Sequence, residues 1–295
     1  MHQKQYLSKV LKIKHQIQNK INAMKSLRFL LLTGTLLFTS LLFSCQSLDP
    51  VPEHQTFTIQ SKPLGELRTI NVWTPPEYNV GKDSLMVLYM PDGGVEEDFP
   101  HVANTLDTLI KSKKIPATLL VGIENTQRRR DLTGPTTVKR DKKIAPVVGE
   151  SEAFRNFIQN ELIPEINKRY RTSAKKGIIG ESLAGLFVTE TFLLTPELFD
   201  FYIAFDPSVW WNNQYLVKNA NSYLDKFPPA LKTFWFAGSD ATDISGTVRE
   251  LSQILQQKNS PSIHWKYADE SKETHKTIFR ATKEKALIWT LNHLQ

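Results

Sequence analysis

The sequence predicts an α/β fold: a mostly parallel central sheet with helices on both faces. Three observations predict it. Short apolar, strand-like runs alternate with longer helix-like stretches, the pattern of a parallel sheet wrapped by its own crossovers. The run Ser84 to Met90 is almost continuously apolar, as a strand covered on both faces requires. Third, Gly180-Glu-Ser-Leu-Ala-Gly185 lies between a strand signal, Lys176 to Ile179, and a helix signal, Leu183 to Leu194.

Each element follows from its pattern. Phe57 to Gln60 and Leu67 to Trp73 read as an opening antiparallel pair. Ser84 to Met90 and Thr118 to Ile123 are central strands, with a helix from Val102 to Lys111 between them. Ser151 to Tyr170 is a long amphipathic helix, with Phe154, Phe157, Ile158, Leu162 and Ile166 at helical spacing. Further strands are expected at Tyr202 to Phe205, Lys232 to Ala237 and Ser262 to Tyr267, with closing helices at Ile244 to Gln257 and Ile278 to Leu294.

The chain has 295 residues, and its formal charge of +7 is unevenly placed. Residues 1–44 carry seven Lys or Arg and no Asp or Glu, so the remainder balances at 30 basic and 30 acidic residues. The basic character belongs to the leader, and the folded part has no net charge to attract nucleic acid. Met24 to Arg28 reads as a basic n-region, with Met24 the initiator, and Phe29 to Phe43 as the apolar core of a signal peptide. The core ends at Ser44-Cys45, and Cys45 is the only cysteine, so no intrachain disulfide can form. A small residue before a lone cysteine at this place resembles a bacterial lipobox. The expectation is a lipid-anchored protein of the bacterial cell envelope. The organisation expected is a leader over 1–44, a polar tether over 45–55 and one α/β domain over 56–295.

The glycine-flanked serine carries the chemistry. A serine on a sharp strand-to-helix turn is the nucleophile elbow of the α/β-hydrolase fold. Gly180 and Ala184 are small where larger side chains would clash. The helix N-terminus points backbone N–H groups at whatever Ser182 attacks. A serine nucleophile needs a histidine base and an orienting acid, in the chain order Ser, Asp or Glu, His. Three histidines follow Ser182. His264 lies within a strand pattern and His293 at the end of the last helix. His275 lies in a polar loop after the last strand, where open α/β sheets gather their functional groups, so His275 is the expected base. The acid is expected after the strand Lys232 to Ala237, at Asp240 or Asp243, with Asp240 nearer the strand end and Asp243 able to cap the next helix. The oxyanion hole is expected from the Leu183 N–H and from the glycines of Pro91-Asp-Gly93-Gly94. The sequence from Cys45 onward has no H-E-x-x-H, no cysteine pair, no P-loop and no dinucleotide fingerprint, so neither metal nor cofactor is expected.

Four segments together resemble the enterochelin esterase-like branch of the α/β-hydrolases, which also includes esterase D. They are Val87-Leu-Tyr-Met-Pro-Asp-Gly93, Asn125-Thr-Gln-Arg-Arg-Arg-Asp-Leu-Thr133, Gly180-Glu-Ser-Leu-Ala-Gly-Leu-Phe187 and Asp206-Pro-Ser-Val-Trp-Trp-Asn212. The chain departs from that family at Glu181, where histidine is common, at Ala184 for glycine, and at Asp206, where serine is usual. The resemblance implies ester hydrolysis through an acyl-enzyme on Ser182. Arg128 and Arg130 follow a central strand and are expected at the site's rim, gripping an anionic or catechol-bearing substrate, unless one pairs with Asp131. Trp210 and Trp211 are expected to give an aromatic platform, or one pocket-facing and one core residue. Siderophore esters and feruloyl or acetyl glycan esters are alternative substrates. Acyl transfer to a sugar and non-catalytic binding are the competing activities.

Overall fold

A computed structural model describes residues 49–144 and 147–294. The leader and Cys45 lie outside the described residues.

Eight strands form one sheet in the order β1-β2-β4-β3-β5-β6-β7-β8. They are β1 (Gln55–Gln60), β2 (Leu67–Trp73), β3 (Leu85–Pro91), β4 (Thr118–Ile123), β5 (Thr172–Glu181), β6 (Phe201–Phe205), β7 (Lys232–Gly238) and β8 (Ile263–Asp269). β1 and β2 pair antiparallel, and β2 joins β4 antiparallel. From β4 through β8 every pairing is parallel. This is the α/β-hydrolase arrangement that the alternation predicts. β1 begins one residue inside the expected tether, and β5 extends the expected run at both ends.

Alternate residues of the central strands feed two cores, because successive side chains in a strand point to opposite faces. Val87, Tyr89, Val121 and Ile178 join one core. Leu88, Met90, Leu120 and Ile179 join the other. The second core is closed by Phe99–Lys111 and Ile278–Leu291, which insert Phe99, Val102, Leu106, Phe279 and Leu287. The first is closed by Ser151–Phe157, Ile163–Arg169, Leu183–Leu194, Trp211–Leu224 and Ser245–Lys258.

The expected helix from Ser151 to Tyr170 is interrupted by a π-helical turn over Ile158–Leu162. Pro164 follows, and proline lacks the N–H that would continue the i→i−4 ladder. Arg128–Leu132, which follows β4, is a short helix.

Parallel strands leave all their carboxyl ends on one edge, and the loops from β3, β4, β5, β6 and β8 meet there. That edge is where open α/β sheets hold their sites.

Candidate active site

Ser182 stands between β5 and the helix Leu183–Leu194 with φ 60° and ψ −116°. This backbone conformation is costly for a side-chain-bearing residue. Three backbone bonds hold it: the Ser182 N–H donates to the Phe205 carbonyl, and the Ser182 carbonyl accepts from Ser208 and Leu186 N–H groups. The turn also requires close packing. A Cβ on Gly180 would come within 2.7 Å of Ala184 Cβ. The small residues are therefore demanded by the turn, as the spacing predicts.

His275 Nε2 lies 3.0 Å from Ser182 Oγ. On the other side of the ring, His275 Nδ1 lies 2.9 Å from Oδ2 of Asp206. Asp206 is fully buried and has φ 40° at the end of β6. Its Oδ1 accepts from the Ser239 N–H at 2.6 Å and its Oδ2 from the Ser239 hydroxyl at 2.5 Å. These donors hold the carboxylate in place against the ring, and it fixes the histidine tautomer with the proton on Nδ1. Nε2 is then the lone pair facing Ser182, an arrangement able to take the serine proton.

The expected acids are therefore displaced. Asp240 and Asp243 are both exposed, and neither carboxylate bonds the imidazole. Asp240 contributes its backbone N–H to the Glu273 carbonyl, which ties down the loop carrying His275. Asp243 acts on His275 only through its charge. β6 and β7 are sheet neighbours, so an acid after either strand can reach the β8 loop. The β7 loop supplies Ser239 as the donor pair for Asp206 instead of supplying the acid.

His275 is raised above its ordinary range. The Asp206 hydrogen bond is the main cause, opposed by burial and assisted by the charges of Glu181, Asp206 and Asp243. Glu181 is pushed up to about 7, first by burial, with Asp98 and Asp92 adding to the rise and His275 and Arg128 opposing it.

The expected oxyanion donors divide. The Leu183 N–H is at the first helical position, so it has no intrahelical acceptor. The Gly93 N–H donates to the Ile123 carbonyl. Glycine is required at position 93 because a Cβ would come within 2.3 Å of Gly122 Cα. The need is strand packing against β4, not ligand approach. The Gly94 N–H donates to Glu97 Oε2 at 2.7 Å.

The rim residues divide too. Arg128 forms a two-pronged pair with Asp92, Nε to Oδ1 at 2.6 Å and Nη2 to Oδ2 at 2.7 Å, and its side chain is 35% exposed. Arg130 does not reach the rim. It is buried against Asp131 and Glu66, so the pairing alternative holds for it. Trp211 is buried and donates Nε1–H to the Gly134 carbonyl. Trp210 is half-buried under the Arg140 guanidinium. One tryptophan is core and the other remains available at the surface. His264 packs against Trp289 and His293, as a structural histidine.

Among the described residues, no three His, Cys, Asp or Glu side chains converge as metal ligands.

The family model described as "Putative esterase" matches residues 61–286. Ferri-bacillibactin esterase BesA of Bacillus subtilis is 29% identical over 201 residues, covering 62% of this chain and 70% of its own. Siderophore triacetylfusarinine C esterase of Aspergillus fumigatus is 34% identical over 103 residues, 33% of either chain. Among solved structures, an IroE-like serine hydrolase from Shewanella oneidensis superposes with TM-score 0.75 at 23% identity, covering 81% of this chain and 80% of that one.

Proposed function

This chain belongs to that esterase family, of the siderophore- and enterobactin-esterase-like α/β-hydrolases, and from that premise we propose that it is a serine esterase with Ser182, His275 and Asp206 as its triad. The observation that carries the reading is the unbroken chain Ser182 Oγ–His275–Asp206 beside a strained nucleophile turn.

His275 Nε2 takes the Ser182 proton as Oγ attacks the ester carbonyl carbon. The Leu183 N–H faces the oxyanion that forms. The carbonyl–alkoxy bond then breaks, and the proton on Nε2 passes to the departing alcohol. Water, deprotonated by the same nitrogen, attacks the acyl-enzyme and returns Ser182 with release of the acid. Asp206 orients the imidazole through Nδ1 and stabilises the imidazolium.

Siderophore-type esters are the substrate class supported by the relatives that carry that activity in their names. A panel of p-nitrophenyl acyl esters, feruloyl sugars and siderophore esters tests the reading. Wild-type protein is expected to hydrolyse at least one class and to react with a fluorophosphonate probe. Ser182→Ala is expected to lose labelling and about 10³-fold or more in kcat/KM while keeping its fold. An alanine variant with full activity overturns the assignment.

A further inference from the structure

Glu181 is the residue before the nucleophile, and no step above uses it. Its Oε1 lies 3.5 Å from His275 Nε2, the same nitrogen that faces Ser182 Oγ. Its side chain is 18% exposed, so it acts at the reacting atoms and not from the surface. Four charged groups face it: His275 from the loop after β8, Asp92 and Asp98 from the loop after β3, and Arg128 from the short helix after β4. Arg128 is already neutralised by Asp92. Asp98 meets His101 at 3.0 Å. Arg130, the second arginine with the sequence position to meet an anion, is held by Glu66 and Asp131.

His275 Nε2 must hand its proton to the departing alcohol oxygen, so the alcohol's substituents pass close to that nitrogen. They pass equally close to Glu181. We propose that Glu181 determines specificity on the leaving-group side of Ser182, favouring alcohols that carry positive charge and rejecting those that carry negative charge. The inference rests on the esterase reading and narrows it. Among siderophore esters it selects neutral complexes, such as ferric tris-hydroxamates, over trianionic ferric tris-catecholates. Glu181 acts on His275 as well: a carboxylate beside Nε2 stabilises the imidazolium and delays release of the base as pH rises.

Three acetate esters of matched size test this on the full chain: those of 3-(trimethylammonio)propanol, 4,4-dimethylpentanol and 4-hydroxybutanoate. They present a cation, a neutral group and an anion on the leaving alcohol. At low ionic strength and about pH 8.5, a full charge within several ångströms should separate the cationic from the anionic ester by on the order of 10²-fold in kcat/KM. The ratio should fall as pH drops through about 7, because Glu181 takes up its proton there. Both esters need the same His275 state, so its titration cancels in the ratio. Glu181→Gln should bring the ratio to within about threefold of unity and move the acid limb of kcat/KM to lower pH by roughly half a unit. Glu181→Asp, which keeps the charge, should retain most of the preference. A ratio that ignores both pH and the glutamine substitution overturns the inference and leaves the esterase reading standing. Should Glu181→Gln fail to fold, the pH dependence of the wild-type ratio decides alone. Hydrolysis of none of the three esters, with the fluorophosphonate probe also unreactive, overturns the esterase reading and this inference with it.

Discussion

The short helix Arg128–Leu132 sends its charges in two directions, and the two destinations differ. Arg130 and Asp131 turn inward to Arg68 and Glu66. There, Arg68 Nη1 meets Asp131 at 2.5 Å and Glu66 at 2.9 Å, and Arg130 meets Glu66 at 2.6 Å and Asp131 at 2.7 Å. Two cations answer two anions through hydrogen bonds shared among all four, and a third carboxylate, the exposed Glu150, reaches Arg130 only at 3.8 Å. Burial pushes Glu66 up, but the bonds from Arg130, Thr126 and Arg68 outweigh it and hold the carboxyl at about 2. Arg128 turns the other way, to Asp92 at the edge of the site. Around it stand Asp98, Glu181 and His275, and there burial first of all lifts Glu181 to about 7. Full compensation fixes the charge state of the first cluster and makes it structure. In the second cluster burial, only partly offset by the charges of His275 and Arg128, leaves Glu181 titrating near neutrality.

The largest effects belong to the second cluster. Asp206→Asn should lower kcat/KM by on the order of 10³–10⁴-fold, because an amide at Nδ1 favours the wrong imidazole tautomer. Asp240→Asn and Asp243→Asn should each stay within about threefold, since neither carboxylate bonds the ring. Kinetics on any ester the wild type hydrolyses checks this. A crippled Asp240→Asn beside an active Asp206→Asn would return the acid to the β7 loop.

The first cluster should break in stability and not in rate. Arg68 is fully buried, so Arg68→Met strands part of a carboxylate pair in the interior and should cost about 3 kcal/mol or more of unfolding free energy. Arg128→Ala, at a partly exposed pair, should cost within about 1 kcal/mol. Urea denaturation of the two variants sharpens the contrast. Equal losses would mean that Arg128 holds its loop as firmly as Arg68 holds the core.

The same contrast explains how much was legible in the sequence. Ser182 is local: a strand, a turn, small residues and a helix in a single stretch. His275 follows by elimination among three histidines. The sheet follows from alternation alone. Asp206 was the harder case because its criterion is met twice: both Asp206 and Asp240 follow a strand and precede His275. Only the three-dimensional contacts decide between them: Asp206 Oδ2 lies 2.9 Å from His275 Nδ1, and Ser239 stands beside Asp206 as its donor. Gly93 was misassigned because its need for a missing Cβ comes from Gly122, in a different strand. For Arg130 the sequence offers both the rim and a pairing with Asp131; the pairing holds, and its second partner Glu66, 64 residues away, is not legible locally. Local chemistry is readable in a single sequence, whereas charge compensation depends on what the fold brings alongside.

A pH-dependent effect isolates compensation itself. Glu66 titrates at about 2 in the folded protein against an ordinary 4.5. A depressed carboxyl contributes stability above its unfolded pKa, and the contribution is lost as pH falls through the folded value. Glu66→Gln should therefore destabilise by about 2 kcal/mol at neutral pH, less than the full shift implies because the side chain is 24% exposed. The difference from wild type should shrink between about pH 4.5 and pH 2 and vanish below. Denaturation midpoints measured across that range check the sign as well as the size. The corresponding change at Glu181, whose pKa is raised, should run the other way. Its ionisation opposes folding, so Glu181→Gln should gain stability relative to wild type as pH rises from about 4.5 to about 7, and the difference should level off above 7. A single pair of curves with opposite slopes separates a carboxylate that the fold has paired from one that it has buried without full compensation.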